Sequence, residues 1–371
     1  MEMFQLLKMM VDHNASDLFL SMGAPPSLKI DGLTRPINVP VLKSGEAKTL
    51  AYSVMNERQI SKFEETMECN LSITVEGIGR FRYNVYMQKN EAAMVVRYIK
   101  SKIPSFEELG LPAVLRDLIM LKRGLVLIVG SAGSGKSTTL ASMIDYRNQN
   151  ATGHILCIED PIEFMHEYKR SVVDQREVGI DTLSYEEALR NAMREAPDVI
   201  MIGEIRDRMT MQHAIAYAET GHLCVSTMHA NNANQAIERI INFFPEDAHR
   251  QLFMDLSLNL KGVMSQRLIP AINQKRALAV EVMLASAYIS DLIQKGQIDV
   301  IKSAMSKSNE EGMKTFDQSL FDLYVAEKIT LDEALSNADS RTDLAVRIKL
   351  TGRLGVPGGP PLRLKPDSPH G

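Results

Sequence analysis

The first hundred residues carry a pattern of apolar and polar positions that predicts a small α+β domain, residues 1–100. Apolar side chains recur at helical spacing over residues 3–11. Short apolar runs that are typical of strands follow this helix. These strands are expected at 17–22, 27–31, 71–75, 79–87 and 92–99.

The fourth of these runs, "GRFRYNVYM", alternates between apolar and polar residues. Successive side chains of a strand point to opposite faces, so one face is expected to be apolar and the other polar. The apolar face would carry Phe81, Tyr83, Val85 and Met87, and the polar face Arg80, Arg82 and Asn84. Arg80 and Arg82 would then stand side by side, about 7 Å apart.

Residues 101–113 contain Pro104, Gly110 and Pro112. Because proline resists helix and strand alike, this segment is expected to be a linker.

The pattern of apolar and polar positions changes over residues 114–350, where continuous apolar runs alternate with helical segments. Such runs are typical of strands buried on both faces of a parallel sheet, so an α/β fold is expected. Its strands are expected at 124–129, 154–158, 199–202 and 223–227.

Helix signals follow in the same domain. Ser184 with Glu187, and later Thr330 with Glu333, have the spacing of a capping box. The first of these helices would carry its apolar side on Ala188, Leu189, Ala192 and Met193. From about residue 247 the chain is expected to be mainly helical. Residues 351–371 are rich in proline and glycine and predict a disordered tail.

The composition narrows the possible classes of protein. A length of 371 residues suits two domains, and a net charge of −4 gives no sign of a nucleic-acid partner. The three cysteines suit neither a metal cluster nor a disulfide framework, and Cys157 and Cys224 are expected to be buried thiols. The acidic N-terminal stretch argues against a signal peptide. No run approaches the roughly 18–20 apolar residues of a membrane span, so a cytoplasmic protein is expected.

A phosphate-binding motif follows the first strand of the second domain. Residues 130–138, "GSAGSGKST", satisfy G-x-x-x-x-G-K-[ST]. Glycines let the backbone N–H groups of such a loop point at phosphate oxygens, and the helix that follows directs its positive end at the same anion. Lys136 can reach the β- and γ-phosphates of ATP, and the Ser137 hydroxyl can bind Mg²⁺. The predicted nucleotide-binding residues are Ser131, Ala132, Gly133, Ser134, Gly135, Lys136, Ser137 and Thr138.

Acidic residues follow two further strands. In "CIEDPIEF" the acids are Glu159, Asp160 and Glu163. Ligands of open α/β sheets bind beyond the carboxyl ends of the strands, so one of these acids could orient and deprotonate a water molecule. Taken alone, such a turn is also typical of a solvated loop.

The second acidic segment, "VIMIGE" at 199–204, has Gly203 where many ATPases place an aspartate. A metal ion would therefore be held by Ser137, phosphates and water, together with Glu204 or Glu163. Glu204 could instead form an ion pair with Arg206 or Arg208.

Two histidines flank the strand in "TGHLCVSTMHAN". His229 follows the strand and could sense the γ-phosphate or pair with Glu204, whereas His222 precedes it. A structural role remains open for both.

Arginines could complete such a site, because guanidinium groups neutralise the charge that develops during phosphoryl transfer. Arg80, Arg82 and Arg97 lie on predicted strands of the first domain. They could approach a nucleotide across the cleft between the domains, or face solvent.

The four segments "GSAGSGKST", "IEDPIEF", "DVIMIGEIRD" and "TGHLCVSTMHAN" together resemble the secretion ATPases of the PilT/GspE/VirB11 superfamily. There they are the Walker A motif, Asp box, Walker B motif and His box, and a glycine at the position of Gly203 is usual. The resemblance implies a PAS-like N-terminal domain, a RecA-like ATPase domain with a helical C-terminal extension, and a homohexamer that hydrolyses ATP with Mg²⁺. By the same resemblance Glu163 is the general base and Glu204 the Walker B acid. It also makes Arg80, Arg82 and Arg97 the arginines of the N-terminal domain.

Within the superfamily, "VDQREVG" and "RNAMREAPDVIMIGEIRD" look like the PilT/PilU retraction branch, which withdraws pilin from type IV pili. The tetracysteine zinc site typical of assembly motors is absent from the sequence. In "AYISDLIQKG", 287–296, the apolar frame of the PilT motif A-I-R-N-L-I-R-E is kept. Its arginine-bearing face is replaced by Ser290, Asp291, Gln294 and Lys295, which is similar to the PilU-type accessory branch.

This resemblance implies a PilT-like ATPase and a PilC-type inner-membrane platform protein as partners, with the protein peripheral at the inner-membrane pilus base. Two other hypotheses remain: an adaptor ring that binds ATP with little turnover, and a RecA-like nucleic-acid translocase. The acidic balance and the lack of a basic stripe interleaved with aromatics disfavour the translocase, so no nucleic-acid partner is expected.

Overall fold

The structure of the protein is a computed structural model. It describes residues 2–99, 102–273, 275–308 and 312–350. The segment 351–371, for which the sequence predicts a disordered tail, lies outside the described residues.

The N-terminal residues form an antiparallel six-stranded sheet in the order β3-β2-β1-β6-β5-β4. The helix predicted at 3–11 and the five predicted strands are present, and the edge strand β3 was missed because it is exposed along its whole length. Apolar residues from the helices and from one face of the sheet make one core. The elements are α1 (Met3–Asp12), β1 (Asp17–Leu20), β2 (Ser27–Ile30), β3 (Leu33–Pro36), α2 (Glu46–Tyr52), α3 (Glu57–Thr66), β4 (Glu68–Val75), β5 (Gly79–Gln88) and β6 (Glu91–Ile99).

The alternation predicted for β5 holds for most of the strand. Phe81, Tyr83 and Val85 are fully buried, and Asn84 is exposed on the other face. Met87 departs from the prediction because it lies beside the turn that joins β5 to β6, and 36% of its surface is exposed.

The segment predicted as a linker contains a short helix, α4 (Phe106–Leu109), followed by α5 (Val114–Met120). Ser105 caps α4 by accepting a hydrogen bond of 3.2 Å from the Glu108 amide, and Phe106 is buried. Pro104 precedes the cap and Gly110 ends the helix in the left-handed conformation, so neither residue interrupts it.

The larger sheet has seven strands in the order β13-β12-β7-β11-β10-β8-β9. All of them are parallel to their neighbours except β13, which pairs antiparallel with β12 at one edge. This arrangement confirms the predicted α/β class with a parallel-sheet core. The strands are β7 (Gly124–Val129), β8 (Gly153–Glu159), β9 (Ser171–Glu177), β10 (Val199–Ile202), β11 (Leu223–Met228), β12 (Leu260–Pro270) and β13 (Arg276–Leu284).

Helices pack on this sheet, and the last of them form a small helical layer with its own core against β12 and β13. They are α6 (Lys136–Asn150), α7 (Tyr185–Ala192), α8 (Arg208–Glu219), α9 (Ala233–Asn242), α10 (His249–Asn259), α11 (Ala287–Gln294), α12 (Ile301–Ser306), α13 (Phe316–Val325), α14 (Leu331–Ser336) and α15 (Arg341–Leu350).

The expectation of a mainly helical chain after residue 247 is wrong for residues 260–284, which form β12 and β13. Both strands bury polar side chains inside the fold, among them Ser265, Gln266 and Glu281. These buried polar residues interrupt the apolar runs by which the other strands of the sheet can be found. The strand β9 was missed for the same reason, because its sequence "SVVDQRE" is largely polar.

The predicted start of α7 is confirmed, but its capping box is incomplete. Ser184 accepts a hydrogen bond of 3.1 Å from the Glu187 amide, whereas the Glu187 carboxylate pairs with Arg190. Ala188, Leu189 and Ala192 are buried as predicted. Met193 is exposed because the chain tightens into a 3-10 turn there.

The parallel strands β7, β8, β10 and β11 all end at the same edge of the sheet, so the segments that follow them lie together. The three cysteines are buried and free. Among the described residues, no helix is both long enough and apolar enough to cross a membrane.

Candidate functional site

The glycine-rich loop joins β7 to α6 at the carboxyl edge of the sheet. Gly135 precedes the helix with a φ of 90°, a left-handed conformation that glycine adopts without strain. The Lys136 ammonium donates hydrogen bonds to the carbonyl oxygens of Gly130 at 3.0 Å and Ser131 at 2.9 Å. The loop is therefore curled around the lysine, as a phosphate-binding loop must be.

A cavity of about 240 Å³, the central cavity, opens beside this loop. It brings together residues that lie far apart in the sequence, from segments around the ends of β7, β8, β10 and β11 and from the start of α7. Among the predicted site residues it is lined by Ala132, Gly133, Lys136, Ser137, Glu163, Glu204 and His229. Burial lowers the pKa of Lys136, and the nearby carboxylates of Glu204 and Glu163 act in the opposite direction.

Glu204 makes both of the contacts that the sequence left open. Its Oε1 lies 3.1 Å from His229 Nε2, and its Oε2 accepts a hydrogen bond of 2.8 Å from Arg206 Nε. Arg206 also lies 3.6 Å from the Asp160 carboxylate, whereas Arg208 lies over the Phe244 ring. Glu204 is therefore held in place at the wall of the central cavity.

Glu159 is a further acid of the cavity, which the sequence did not single out from its cluster. Its side chain is buried and accepts a hydrogen bond of 2.9 Å from Gln175 Nε2, on the missed strand β9. Burial raises the pKa of Glu159 to about 7. The sequence names Glu159 together with Asp160 and Glu163. The raised pKa that distinguishes Glu159 comes from its burial at the end of β8, which the sequence does not show.

Gly203 is crowded from two sides. A Cβ atom at this position would lie 3.0 Å from the Tyr185 hydroxyl, 3.3 Å from Glu159 Cα and 3.3 Å from the Ile158 carbonyl oxygen. Tyr185, the first residue of α7, also lines the central cavity. A larger side chain in place of Gly203 would therefore displace the tyrosine or the neighbouring strand.

A second cavity of about 570 Å³, the side cavity, lies against the start of α6. It is lined by Gly133, Ser134, Gly135, Lys136, Ser137 and Thr138 of the loop, and beyond them by Leu109, Gln266, Leu268, Arg276 and Leu278. Gln266 is 2% exposed, and its Nε2 donates a hydrogen bond of 2.6 Å to the Ser134 carbonyl oxygen. Ser131, the remaining predicted loop residue, lines a third cavity together with His229.

The three arginines predicted for the site, Arg80, Arg82 and Arg97, do not line the central cavity. Arg97 forms an ion pair of 2.8 Å with Asp17. Burial raises the pKa of Glu177, at the end of β9, and the nearby Arg82 and Arg80 act in the opposite direction. The Ser72 hydroxyl, on the neighbouring strand, donates a hydrogen bond of 3.4 Å to Glu177.

His222 also lies elsewhere. It precedes β11, and its Nδ1 lies 3.2 Å from the Thr220 hydroxyl and 3.3 Å from the Tyr217 carbonyl oxygen. His222 stands at the amino end of β11, whereas the central cavity lies at the carboxyl ends of the parallel strands. His222 is therefore held away from that cavity.

The residues of the central cavity suit a metal ion that arrives with its ligand. Among the described residues, no group of three or more His, Cys, Asp or Glu side chains is arranged to hold a metal by itself. Mg²⁺ usually binds through one or two protein groups, substrate phosphates and water. The Ser137 hydroxyl and the Glu204 and Glu163 carboxylates, all lining this cavity, are oxygen donors of the required kind.

The parallel sheet, the glycine-rich loop and the acids at the neighbouring strand ends define a P-loop nucleotide-binding fold. The model of the type II/IV secretion system protein family matches residues 3–327. The chain is 52% identical to the type IV pilus ATPase PilU of Pseudomonas aeruginosa, over 94% of this chain and 92% of that relative. It is 42% identical to the type IV pilus retraction ATPase PilT of the same organism, over 91% of this chain and 98% of PilT.

Solved structures agree with these relatives. The pilus retraction motor PilT with bound ADP superposes with a TM-score of 0.87 at 41% identity, covering 93% of this chain and 99% of that one. The Legionella pneumophila ATPase DotB shares the fold, with a TM-score of 0.78 at 24% identity over 90% and 93% of the two chains. The chain belongs to the type II/IV secretion system protein family and, within it, to the PilT/PilU group of type IV pilus ATPases.

Proposed function

We propose that this protein hydrolyses ATP to ADP and phosphate with Mg²⁺, and that the turnover powers type IV pilus retraction and twitching motility. The convergence of Lys136, Ser137, Glu163 and Glu204 on the central cavity carries the chemical part of this proposal. The identity with relatives named PilU and PilT supports the cellular part.

In this proposal the backbone amides of the loop at 131–138 hold the phosphates, and Lys136 turns from its carbonyl partners to the β- and γ-phosphates. Glu163 is the general base that accepts a proton from the attacking water. Glu204, fixed by Arg206 and His229, orients the groups around the terminal phosphate. Mg²⁺, held by Ser137 and the phosphates, would neutralise the charge that builds on the phosphate oxygens.

The side cavity is the proposed site of the nucleotide base. It adjoins the loop at the start of α6, and Leu109, Leu268 and Leu278 supply apolar surface for a planar ring. Arg276 lies at the same cavity and could contact the ribose or the base.

For the whole molecule, the proposal is a cytoplasmic homohexamer at the inner-membrane pilus base, acting on a PilC-type platform protein as an accessory to a PilT-like ATPase. Residues 1–100 would form its PAS-like N-terminal domain, with 101–113 as the connection to the ATPase domain. In this proposal ATP closes the cleft between the domains and brings Arg80, Arg82 and Arg97 toward a nucleotide. The replacement of the arginine-bearing face on and directly after α11 by Ser290, Asp291, Gln294 and Lys295 supports the accessory role.

Steady-state phosphate release from purified protein tests the enzymatic part. Glu163→Gln keeps the size of the side chain and removes its basicity, so we expect turnover to fall about 100-fold or more while ATP still binds. Glu186→Gln is the matched control, because Glu186 is an exposed acid of α7 paired with Arg190, and should leave turnover unchanged. Turnover that is absent in the wild type, or undiminished in Glu163→Gln, would favour an adaptor that binds ATP without using it.

A further inference from the structure

The side chain of Tyr185 lies against Gly203. Its hydroxyl oxygen would lie 3.0 Å from a Cβ atom built on Gly203, which is the position from which an aspartate side chain would otherwise extend. The tyrosine lines the central cavity together with Lys136, Ser137 and Glu204. The hydroxyl therefore stands among the groups proposed to bind the phosphates, at the place of a missing carboxylate.

The tyrosine ring is fixed while its hydroxyl remains available. The ring packs on the core that lies between the sheet and helices α7 and α8. The helix that begins with Tyr185 is held at its start by the hydrogen bond from the Glu187 amide to Ser184. Among the hydrogen bonds between described residues, none involves the Tyr185 hydroxyl. A fixed polar group that faces a cavity without a protein partner is suited to contact a ligand or its bound water.

The charges around Tyr185 determine which form of the phenol is present. Burial raises its pKa above the ordinary value for tyrosine, and the nearby carboxylates of Asp160, Glu159 and Glu204 raise it further, against the opposing effect of Arg206. The phenol therefore stays neutral, and it can accept one hydrogen bond and donate another. It cannot supply the negative charge of an aspartate.

In P-loop ATPases an aspartate at the end of this strand helps to hold the hydrated magnesium ion. We propose that the Tyr185 hydroxyl replaces that aspartate as a positioning residue, by hydrogen bonding to a water molecule of the magnesium–nucleotide complex beside Glu204. This inference rests on the proposed binding of ATP with Mg²⁺ and adds a residue that the sequence motifs do not include.

The test is the magnesium dependence of nucleotide binding, measured with a fluorescent ADP analogue in Mg²⁺ and in EDTA. Tyr185→Phe keeps the ring and removes only the hydroxyl. We expect binding in Mg²⁺ to weaken about three- to tenfold, the effect of losing one hydrogen bond between neutral groups, and binding in EDTA to stay the same. A change in packing alone would weaken binding in both conditions or in neither.

Tyr217→Phe is the matched control, because the Tyr217 hydroxyl donates to the Leu189 carbonyl oxygen inside the same core, away from the central cavity. This variant should lower the melting temperature without changing the difference in analogue affinity between Mg²⁺ and EDTA. Gly203→Ala should weaken binding of the analogue in Mg²⁺ by displacing the Tyr185 hydroxyl. In the double variant with Tyr185→Phe, it should cause little further loss of affinity that is specific to Mg²⁺.

The outcomes separate this inference from the function it rests on. If the wild-type protein binds the analogue more tightly in Mg²⁺ and Tyr185→Phe keeps the whole of that gain, the role of Tyr185 is refuted while nucleotide binding stands. If the wild type does not bind the analogue at all, both proposals fail. Loss of the magnesium gain in Tyr185→Phe alone supports the inference.

Discussion

Gln266 shows how single buried polar side chains support the phosphate loop. It lies on β12, directly beside the loop, and its amide nitrogen satisfies the Ser134 carbonyl oxygen at 2.6 Å. A carbonyl that is buried without a partner costs about 1–3 kcal/mol. Gln266 thus belongs to the structural basis of the loop even though no phosphate-binding motif includes it.

We predict that Gln266→Met, which preserves most of the side-chain volume, lowers the free energy of unfolding by about 1 kcal/mol, because losing the unpartnered buried Oε1 of Gln266 offsets part of the cost of the unsatisfied Ser134 carbonyl. Urea denaturation measures this loss, and affinity for ADP should fall with it because the loop is less well held. The exposed Gln251 on α10, whose amide pairs with Asp255, gives the control Gln251→Met with little effect. Equal stability of the Gln266 variant and the wild type would show that the loop does not depend on this contact.

Residues that belong to contiguous sequence motifs could be located from the sequence alone. The placement of the loop at 130–138 and of the acids at 159, 163 and 204 at the carboxyl edge of the sheet could be predicted, because each lies at or shortly after the end of an apolar strand. Tyr185 and Gln266 could not be predicted, since their proximity to the loop depends on the packing of α7 and β12 against the sheet. A tyrosine at the first position of a helix carries no signal that its hydroxyl will face a glycine 18 positions later.

Among the elements, the pair β12–β13 connects the site to the last helices. Glu281 on β13 accepts a hydrogen bond of 2.8 Å from the Ala233 amide, the first residue of α9, which follows the segment that carries His229. Arg267 on β12 binds Asp339 at 2.9 Å and lies over the Phe316 ring. These contacts explain why two strands run through a region where sequence predicted helices, because their buried polar residues have partners that only the fold supplies.

Glu281 leads to a prediction about pH. Burial raises its pKa to about 7 from an ordinary value of 4.5. Since the folded state then binds this proton more tightly than the unfolded state, Glu281 makes stability fall as pH rises from 4.5 to about 7. We expect Glu281→Gln to be more stable than the wild type at pH 8, by about 1–2 kcal/mol, and to lose this advantage toward pH 4.5.

Urea denaturation of both proteins across this pH range measures the difference. The glutamine keeps an oxygen that can accept the Ala233 amide, so the cap of α9 is retained. A stability difference that does not change with pH would show that Glu281 does not titrate in this range.

At the scale of the whole molecule, two sheets of different kinds meet beside the site. The Ser72 hydroxyl of the antiparallel sheet reaches Glu177 of the parallel sheet, close to Arg80 and Arg82. The sequence predicted sheets of two kinds from the change from short separate strands to alternating strands and helices. The sequence did not show that Arg80 and Arg82 lie close to Glu177, because this proximity joins residues more than 90 positions apart.

The cellular role predicts a conditional effect. Lys136→Ala removes the ammonium group that reaches the phosphates, so a cell that carries this variant together with an inactive PilT-like partner should lose pilus retraction. The control is the same cell with the inactive partner and Glu186→Gln, in which any retraction supported by the wild type should persist. Fluorescent labelling of pili measures retraction events directly, and normal retraction in the Lys136→Ala cells would contradict the proposed motor.

The proposed function requires that a nucleoside triphosphate lies in the loop between β7 and α6, with acids from neighbouring strands at its terminal phosphate. A crystal structure of the protein with Mg²⁺ and a non-hydrolysable ATP analogue measures this most directly. We predict that the amides of residues 131–138 contact the phosphates and that Glu163 and Glu204 face the terminal phosphate. An empty loop, or both carboxylates turned away from that phosphate, would refute the proposed ATPase site.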